Sequence, residues 1–381
     1  MKCKFLKKLD KLSQCYRHTG HLLSSVHGPA LAIPIWRKAA KGDDTRDNFL
    51  SNVTARRAAM EDRAPPVFAF GIIADIQYAD IEDGLNYLRT RKRFYRSSLQ
   101  LLRNATRRWE EQRVRCVLQL GDIIDGFNKS RSASEQALDT VIGEFDKSSA
   151  DVHHVWGNHE FYNFSRETLL ASPLNSAAKA GSGSDLLADG IYAYEFSPAP
   201  GFRFVLLDAY DISVIGRDES SEKHKRSLKL LQEHNSNPDL NQPPVFNGLE
   251  QRFVKFNGGF SQEQLLWLDE VLTLADQKQE RVTVCSHLPV HPCVTDPICL
   301  AWNYDAMQSV LRSHKSVVCF MAGHDHDGGY YMDESGVHHI TLEGVIETCP
   351  DSNAFGTVYV YEDQMVLKGN GRISDMVLKY P

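Results

Sequence analysis

The sequence predicts an α/β fold in which two β-sheets pack as a sandwich and helices flank them. The first observation behind this is an alternation of strand-like and helix-like segments. Apolar runs at 67–74, 114–120 and 152–156 are separated by helical spacing at 88–112 and 132–147. This β-α-β-α-β order is typical of a layered α/β sheet.

The second observation is a similar order later in the chain. Residues 192–196 and 202–207 have the pattern of an antiparallel pair of strands. They are followed by a strand at 281–286, a helix at 302–313 and a strand at 317–322. These segments predict the second sheet of the sandwich.

The third observation concerns the remaining segments. Short alternating runs over 329–370 predict further strands. Residues 162–190, rich in Ser, Ala and Gly, predict a surface excursion. Residues 209–260 predict an insertion beside the sheets, with a helix at 221–234 and a loop at 235–248.

Composition and charge indicate a soluble globular protein that does not bind nucleic acid. The chain has 381 residues, of which 42% are hydrophobic and 24% charged, as expected for a chain with a substantial core. Residues 1–63 carry 13 Lys/Arg and 6 Asp/Glu, although the whole chain has a net charge of −6. Residues 64–381, the predicted functional domain, are therefore acidic and would repel a phosphate backbone.

The cellular setting is predicted from the N-terminal part and the cysteines. Residues 1–63 predict a basic, disordered extension, and no apolar run approaches the roughly 20 residues that cross a bilayer. Eight cysteines without a Cys-x-x-Cys pair suit a reducing compartment. We therefore expect a cytoplasmic monomer without a membrane partner. Mitochondrial targeting by residues 1–41 is the less favoured alternative, because that segment is rich in Lys rather than Arg.

Side chains that bind hard metal ions follow the predicted strands. The motifs are Asp75-Ile76-Gln77, Gly121-Asp122, Gly157-Asn158-His159-Glu160, Ser286-His287, Gly323-His324 and Asp325-His326. In open α/β sheets, ligands bind beyond the carboxyl ends of strands, so we expect these side chains to meet. Carboxylate, amide and imidazole donors together are typical of a two-metal hydrolytic centre.

Each motif alone has an ordinary structural explanation. An aspartate after a strand, such as Asp75, is commonly a turn or capping residue. A single histidine such as His287 can be a hydrogen-bonded core residue. The metal hypothesis depends on the joint pattern, because six such motifs at successive strand ends are hard to obtain by chance.

In this order the motifs resemble those of the calcineurin-like metallophosphoesterase superfamily. Its pattern is Asp-x-His, Gly-Asp, Gly-Asn-His-(Glu/Asp), a later His, and Gly-His-x-His. The chain matches it from about 67 to 327, with Gln77 in place of the usual His. The resemblance implies an αββα sandwich and two divalent ions. Mn²⁺ is expected first, with Mg²⁺, Zn²⁺ or Co²⁺ as alternatives.

The resemblance also implies which residues hold the two ions. The implied ligands of the first ion are Asp75, Gln77, Asp122 and His326. Those of the second ion are Asp122, Asn158, His287 and His324. Asp122 would bridge the ions, and Gln77 would weaken the first site because an amide oxygen is a poorer donor than an imidazole.

The implied reaction is attack of water, in line, on one phosphorus of a pyrophosphate. Asp122 would act through both ions, and His159 would stabilise the transition state or protonate the leaving phosphate. Glu160 or another nearby carboxylate is the candidate to orient His159.

The substrate class is narrowed by Gln77 together with the segments 80–84, 156–164, 256–260 and 323–329. They resemble a branch of the superfamily that acts on nucleoside diphosphate-linked small molecules. We expect ADP-ribose to give AMP and ribose 5-phosphate, and CDP-choline, a CDP-alcohol, to give CMP and phosphocholine. Tyr87, Cys299 and Asn303 lie near the motifs and are candidate substrate contacts, with core packing as the alternative.

Two other functions remain open from the sequence. One is a cyclic-nucleotide phosphodiesterase or phosphomonoesterase with the same metal core. The other is a non-catalytic scaffold on the same fold, which the presence of a competent side chain at every ligand position disfavours.

Overall fold

The structure is a computed structural model that describes residues 64–86, 89–180, 185–245 and 248–381. The chain divides into two units at Pro65–Pro66, and the account below concerns the second unit, Pro66–Pro381. The predicted extension at 1–63 and the candidate substrate contact Tyr87 lie outside the described residues.

The described elements are strands, helices and short 3-10 turns. The strands are β1 (Phe68–Ile73), β2 (Gly84–Leu85), β3 (Lys92–Arg93), β4 (Cys116–Gln119), β5 (Asp151–His154), β6 (Tyr194–Ala199), β7 (Phe202–Leu206), β8 (Arg281–Cys285), β9 (Val317–Ala322), β10 (Gly329–Met332), β11 (His338–Thr341), β12 (Ala354–Val360), β13 (Gln364–Gly371) and β14 (Met376–Lys379). The helices are α1 (Ser97–Gln112), α2 (Phe127–Ser130), α3 (Ser134–Phe145), α4 (Asn158–Asn163), α5 (Arg166–Leu170), α6 (Ser176–Ala180), α7 (Asp185–Ala188), α8 (Glu222–His234), α9 (Gln262–Lys278) and α10 (Tyr304–Ser313). The 3-10 turns are Leu249–Arg252, Pro297–Cys299 and Val345–Glu347.

Two six-stranded sheets form the body of the protein. The first has the order β14-β13-β12-β1-β4-β5, and the second has the order β10-β11-β9-β8-β7-β6. β1, β4 and β5 run parallel in the first sheet, as do β7, β8, β9 and β11 in the second. The carboxyl ends of neighbouring parallel strands therefore lie at a common edge of each sheet.

The sheets face each other through an aromatic layer. Phe70 on β1 packs edge-on against Phe204 on β7 with ring centroids 5.0 Å apart. Phe68 and Phe202 repeat this contact at 5.5 Å. α1 packs on β12 and α3, while α9 packs on β8 and α10, so helices cover both outer faces. The predicted α/β sandwich flanked by helices is confirmed.

The start of the first long helix differs from the prediction. Helical spacing predicted a helix over 88–112, but α1 begins at Ser97. The preceding residues form the β2–β3 hairpin instead, where Leu85 pairs with Lys92. The side chain of Asn86 accepts hydrogen bonds from the amides of Thr90, at 2.8 Å, and Arg91, at 3.1 Å, and thereby closes the turn.

The predicted surface excursion at 162–190 is also more structured than its composition suggests. It contains α5, α6 and α7, and Leu169 and Leu174 are buried in the main core. Small residues here permit close packing rather than exposure.

The antiparallel pair β6–β7 agrees with the prediction, as does the helix α8 within the insertion. Within the described ranges, no helix combines the length and apolar character needed to cross a bilayer.

Candidate metal centre

The predicted ligands converge because the strands that precede them end at the same edge. Asp75 and Gln77 follow β1, Asp122 follows β4 and Asn158 opens α4 after β5. His287 follows β8, whereas His324 and His326 follow β9. The first sheet thus supplies carboxylates and amides, and the second supplies the three imidazoles.

One group of donors surrounds the side chain of His326. Its Nε2 lies 3.4 Å from Asp75 Oδ1 and 3.1 Å from the amide nitrogen of Gln77. That amide also donates to Asp122 Oδ2 at 3.0 Å. Asp75 Oδ1 and Gln77 Oε1 are buried and have no hydrogen-bond partner. A cation is a suitable partner for both oxygens, since rotation of the Gln77 amide exchanges its oxygen and nitrogen.

A second group of donors surrounds His287. Its Nε2 lies 3.2 Å from Asn158 Oδ1, 3.2 Å from His324 Nδ1 and 3.5 Å from Asp122 Oδ1. Asp122, His287 and His324 each present a ligand atom within 4.8 Å of the others. Asp122 has one oxygen near each group of donors, which is the position a bridging carboxylate requires.

Hydrogen bonds on the far side of the rings aim their lone pairs inward. His287 Nδ1 lies 2.8 Å from the carbonyl oxygen of Leu120, and His324 Nε2 lies 2.9 Å from Asn257 Oδ1. Both neighbours accept, so each ring holds its proton there and turns its other nitrogen inward. In the absence of metal, the contact of 3.2 Å between His287 Nε2 and His324 Nδ1 requires a proton between the two nitrogens, and a divalent ion at that position would replace the proton and be coordinated by both rings.

The electrostatics of the pocket also favour a cation. Burial opposes ionisation of Asp122, but the His287 and His159 rings hold its pKa well below the usual range. Burial lowers the pKa of His287, yet the Asp122 charge beside it raises that pKa to about 9. Burial and the His287 charge together keep the pKa of His324 well below its usual value. The negative charge of Asp122 therefore favours a cation between the rings of His287 and His324.

Glu160 supports the loops that carry the predicted ligands. Its carboxylate is not used to orient His159, which differs from the prediction. Its carboxylate accepts the amides of Asp122 at 2.8 Å, Ile123 at 2.7 Å and Gly157 at 2.5 Å. Burial and the Asp122 charge raise the pKa of Glu160 to about 7, while the three amides favour its ionised form. It was a poor candidate to orient His159, since on α4 it is the very next residue and the two side chains diverge.

His159 is held by a different pair of groups. Its Nδ1 accepts the backbone amide of Gly126 at 2.9 Å, and Asp125 Oδ2 lies 3.5 Å away. The proton of the neutral ring is therefore on Nε2, which lies 3.8 Å from Asp122 Oδ2. An N–H donor thus faces the metal ligands, and Asp125 is the nearby carboxylate that the sequence left unnamed.

Two glycines allow the loops to approach this closely. A side chain at Gly157 would overlap Asp122 Oδ1 and come within 2.7 Å of His287 Cε1. Gly121 has a φ of +98° and faces the same imidazole ring. Only glycine fits these positions without moving a ligand.

Comparison with known proteins places this geometry in a family. The sequence pattern of the family described as calcineurin-like phosphoesterase matches residues 68–328. The chain belongs to the calcineurin-like phosphoesterase family. The family resemblance predicted from the motifs is therefore confirmed.

Relatives within the family share most of the chain. A Danio rerio protein is 68% identical over 324 residues, which are 84% of this chain and 100% of the relative. A Homo sapiens protein is 53% identical over 84% of this chain and 95% of the relative. An Arabidopsis thaliana protein is 40% identical over 81% of this chain and 96% of the relative. All three are named manganese-dependent ADP-ribose/CDP-alcohol diphosphatase.

A solved structure shows the same fold. The crystal structure described as a dimetal phosphatase from Danio rerio superposes with a TM-score of 0.81 and 69% identity. The match covers 83% of this chain and 100% of that one.

Several residues complete the calcineurin-like site without having been predicted. Tyr210 donates its hydroxyl to Asn158 Oδ1 at 3.2 Å, and Glu347 Oε1 lies 3.0 Å from His326 Nδ1. Asn257 holds His324 while its own amide nitrogen donates to three backbone carbonyls. Both ends of the Asn257 amide are therefore engaged within the protein. No local sequence signal marked these residues, because their contacts come from loops that only the tertiary structure brings together.

Asn303 and Cys299 are the two candidate substrate contacts that the structure describes. Asn303 accepts the amide of Phe260 at 3.0 Å and donates to its carbonyl at 2.7 Å, so its side chain braces that segment. Cys299 ends a 3-10 turn, and burial keeps the pKa of its thiol well above the usual value. A substrate contact at either residue stays a prediction.

Proposed function

We propose that this protein is a metal-dependent diphosphatase that hydrolyses the pyrophosphate bond of ADP-ribose and of CDP-alcohols such as CDP-choline. The products are AMP or CMP and a phosphorylated sugar or alcohol. The observation that carries the proposal is the convergence of six predicted ligands from both sheets around a seventh, Asp122, beside an N–H donor on His159. The names of relatives from vertebrates and a plant support the substrate class.

The two donor groups are assigned to two divalent ions, Mn²⁺ first. The first ion is assigned to Asp75, Gln77, Asp122 and His326. The second ion is assigned to Asp122, Asn158, His287 and His324. When bound, such ions lower the pKa of water and neutralise phosphate oxygens.

The remaining side chains act by orientation and proton donation. Glu160 fixes the loops on which Asp122 and Asn158 stand, because it holds the amides of Asp122 and Gly157. His159 presents its Nε2–H to the phosphate oxygens as charge develops on them. Water adds to one phosphorus, the bond to the bridging oxygen breaks, and the leaving phosphate takes a proton. The amide of Gly126 donates to His159 Nδ1 and thereby keeps the ring in the tautomer that carries its proton on Nε2.

The site needs no second chain. Every predicted ligand and His159 come from one polypeptide, so a monomer, as expected from the sequence, would hold the complete set. Size-exclusion chromatography with light scattering would test this, and a dimer of stable mass would contradict it.

A substrate panel tests the proposed activity. Purified protein with Mn²⁺ is given ADP-ribose, CDP-choline, a cyclic nucleotide and p-nitrophenyl phosphate, and the products are separated chromatographically. We expect kcat/KM to be highest for the two diphosphate-linked substrates. Preference for the cyclic nucleotide or the monoester would favour a phosphodiesterase or phosphomonoesterase instead.

The variant Asp122→Ala tests whether the metal centre performs the reaction. It should stay folded but lose metal-dependent turnover, because both ions lose their shared ligand. Full activity in this variant would refute the proposal, and wild-type protein that turns over nothing would favour the scaffold alternative.

A further inference from the structure

The three imidazole rings of the site differ in the partner of their outer nitrogen, the one that faces away from the site. His287 and His324 donate to neutral oxygens, a carbonyl of the main chain and the amide of Asn257. His326 Nδ1 lies 3.0 Å from the carboxylate of Glu347. Of these three rings, His326 therefore has the partner with a negative charge.

Glu347 is held in place as a charged group. Its side chain is only 4% exposed. Arg91 Nη1 lies 3.5 Å from its Oε2, and Arg93 Nε lies 3.5 Å from its Oε1. Arginine keeps its proton in proteins, so these two neighbours favour the ionised carboxylate.

The segment that carries Glu347 is bound to the ligands of the first ion along its length. The amide of Ile346 donates to the carbonyl of Asp75 at 2.9 Å. The amide of Gly344, in the same segment, donates to the carbonyl of His326 at 3.3 Å. The segment thus holds the backbone at both Asp75 and His326, and Glu347 holds the ring of His326.

We propose that Glu347 is a positioning residue that strengthens His326 as a metal ligand and so compensates for Gln77. The amide oxygen of Gln77 is a weaker donor than the imidazole that the family usually has there. A carboxylate that accepts the outer N–H of a ligand histidine fixes its tautomer and raises its basicity. Glu347 lies beyond residues 68–328, which match the family pattern. This inference rests on the proposed function, because it needs an ion at the first site.

The test is calorimetric titration of metal-free protein with Mn²⁺, comparing wild type with Glu347→Gln. Wild type should bind two ions. The variant keeps the shape and the hydrogen-bond acceptor but loses the charge. It should bind one ion with unchanged affinity and the other roughly 10–100-fold more weakly. The Tm of the metal-free protein should fall, because Arg91 and Arg93 lose a charged partner, so the contrast between the two ions is the deciding readout.

A double-mutant cycle separates this role from simple structural damage. Gln77→His in the Glu347→Gln background should restore most of the lost affinity, because an imidazole replaces the weak amide donor. In a His326→Ala background, Glu347→Gln should cause no further loss, since the ligand through which it acts is gone. Equal weakening of both ions, or no restoration by Gln77→His, would overturn the proposal.

Two further variants keep the test decisive. Glu343→Gln is the matched control, because this carboxylate lies in the same segment but packs over Gly328, and its Mn²⁺ affinities should equal those of wild type. If Glu347→Gln does not fold, Glu347→Asp keeps the charge at a greater distance and should show a smaller loss at the same ion. Unchanged affinities in these Glu347 variants would overturn this inference and leave the proposed function intact. A wild type that binds no Mn²⁺ would overturn the proposed function itself.

Discussion

Four of the predicted ligands depend on a backbone conformation that most side chains avoid. Asp75, Gln77, Asp122 and His324 have φ values of 53°, 43°, 57° and 71°. They are half of the eight non-glycine residues with positive φ in the described part of the chain. Such conformations cost about 1–3 kcal/mol each and cluster at functional sites, where neighbouring contacts hold them. Here a bond of 2.9 Å from the Gln77 amide to the Asp122 carbonyl is one such contact.

The variant Gly157→Ala should weaken the second ion more than the first. The added methyl group would overlap Asp122 Oδ1 and crowd the His287 ring, which both hold that ion. We expect weaker Mn²⁺ binding and a loss of about 1–3 kcal/mol in the free energy of unfolding. Calorimetric titration and urea unfolding measure these changes.

Gly143→Ala is the matched control for that experiment. A methyl group at Gly143 in α3 meets nothing within 4 Å, so metal binding should be unchanged. Its stability should stay the same or rise by up to about 1 kcal/mol, because alanine favours the helix. Equal behaviour of the two alanine variants would contradict the steric account of Gly157.

The variant His159→Gln should lower kcat without removing the metal ions. His159 supplies a proton donor but is not among the assigned ligands, so kcat should fall about 10²–10⁴-fold. Metal content by elemental mass spectrometry should remain at the wild-type value. Loss of one ion per chain would show instead that the ring is a ligand.

The residues predicted as ligands converge in the structure, whereas most of the groups that hold them were not predicted. Asp122 and His287 were identifiable because each follows an apolar strand, a position that local pattern reveals. Tyr210 and Glu347 were not, because their roles arise from loops brought together only by the tertiary structure. The orienting group of His159 was missed for the same reason, since it is a backbone amide.

Among the elements, the β2–β3 hairpin is the clearest case of tertiary contacts overriding local preference. Helical spacing predicted that this segment would continue into α1. In the extended hairpin, Arg91 and Arg93 reach Glu347, a residue far along the chain. If this segment were helical, Arg91 and Arg93 would no longer reach Glu347. These ion pairs join residues far apart in the sequence, so no local pattern could reveal the stabilisation that they provide.

A buried ion pair between elements should dominate the stability of the region around α5. Arg166 on α5 donates to Asp208, after β7, at 2.6 Å, and both side chains are buried. Replacement of Asp208 by Asn leaves the cation without its partner. We expect a loss of about 3–5 kcal/mol in the free energy of unfolding at neutral pH. Urea unfolding of both proteins checks this.

The same pair should show a defined pH dependence. Burial would raise the pKa of Asp208, but Arg166 outweighs it and lowers that pKa below the ordinary value. A lowered folded-state pKa means that the stabilisation is complete above the unfolded-state pKa of about 4 and is lost as pH falls further. The difference between wild type and Asp208→Asn should therefore shrink from about pH 4 downward. A constant difference would contradict the assigned charge.

At the scale of the whole molecule, the metal ions should add stability by joining the two sheets. The apolar core between the sheets does not depend on metal, so protein treated with a chelator should remain folded. Saturation with Mn²⁺ at 100 times Kd should add about 2.7 kcal/mol for each ion. Differential scanning calorimetry should show a higher Tm on loading. No change in Tm would contradict preferential binding to the folded state.

The position of the ligands along the chain has a consequence for biosynthesis. Asp75 follows the first strand, whereas His324 and His326 follow β9, on the opposite sheet. A nascent chain emerging from the ribosome therefore offers no complete cation cage until most of the polypeptide has left the exit tunnel. An ion held by the proposed ligands would therefore be captured late in synthesis and would not template the early steps of folding.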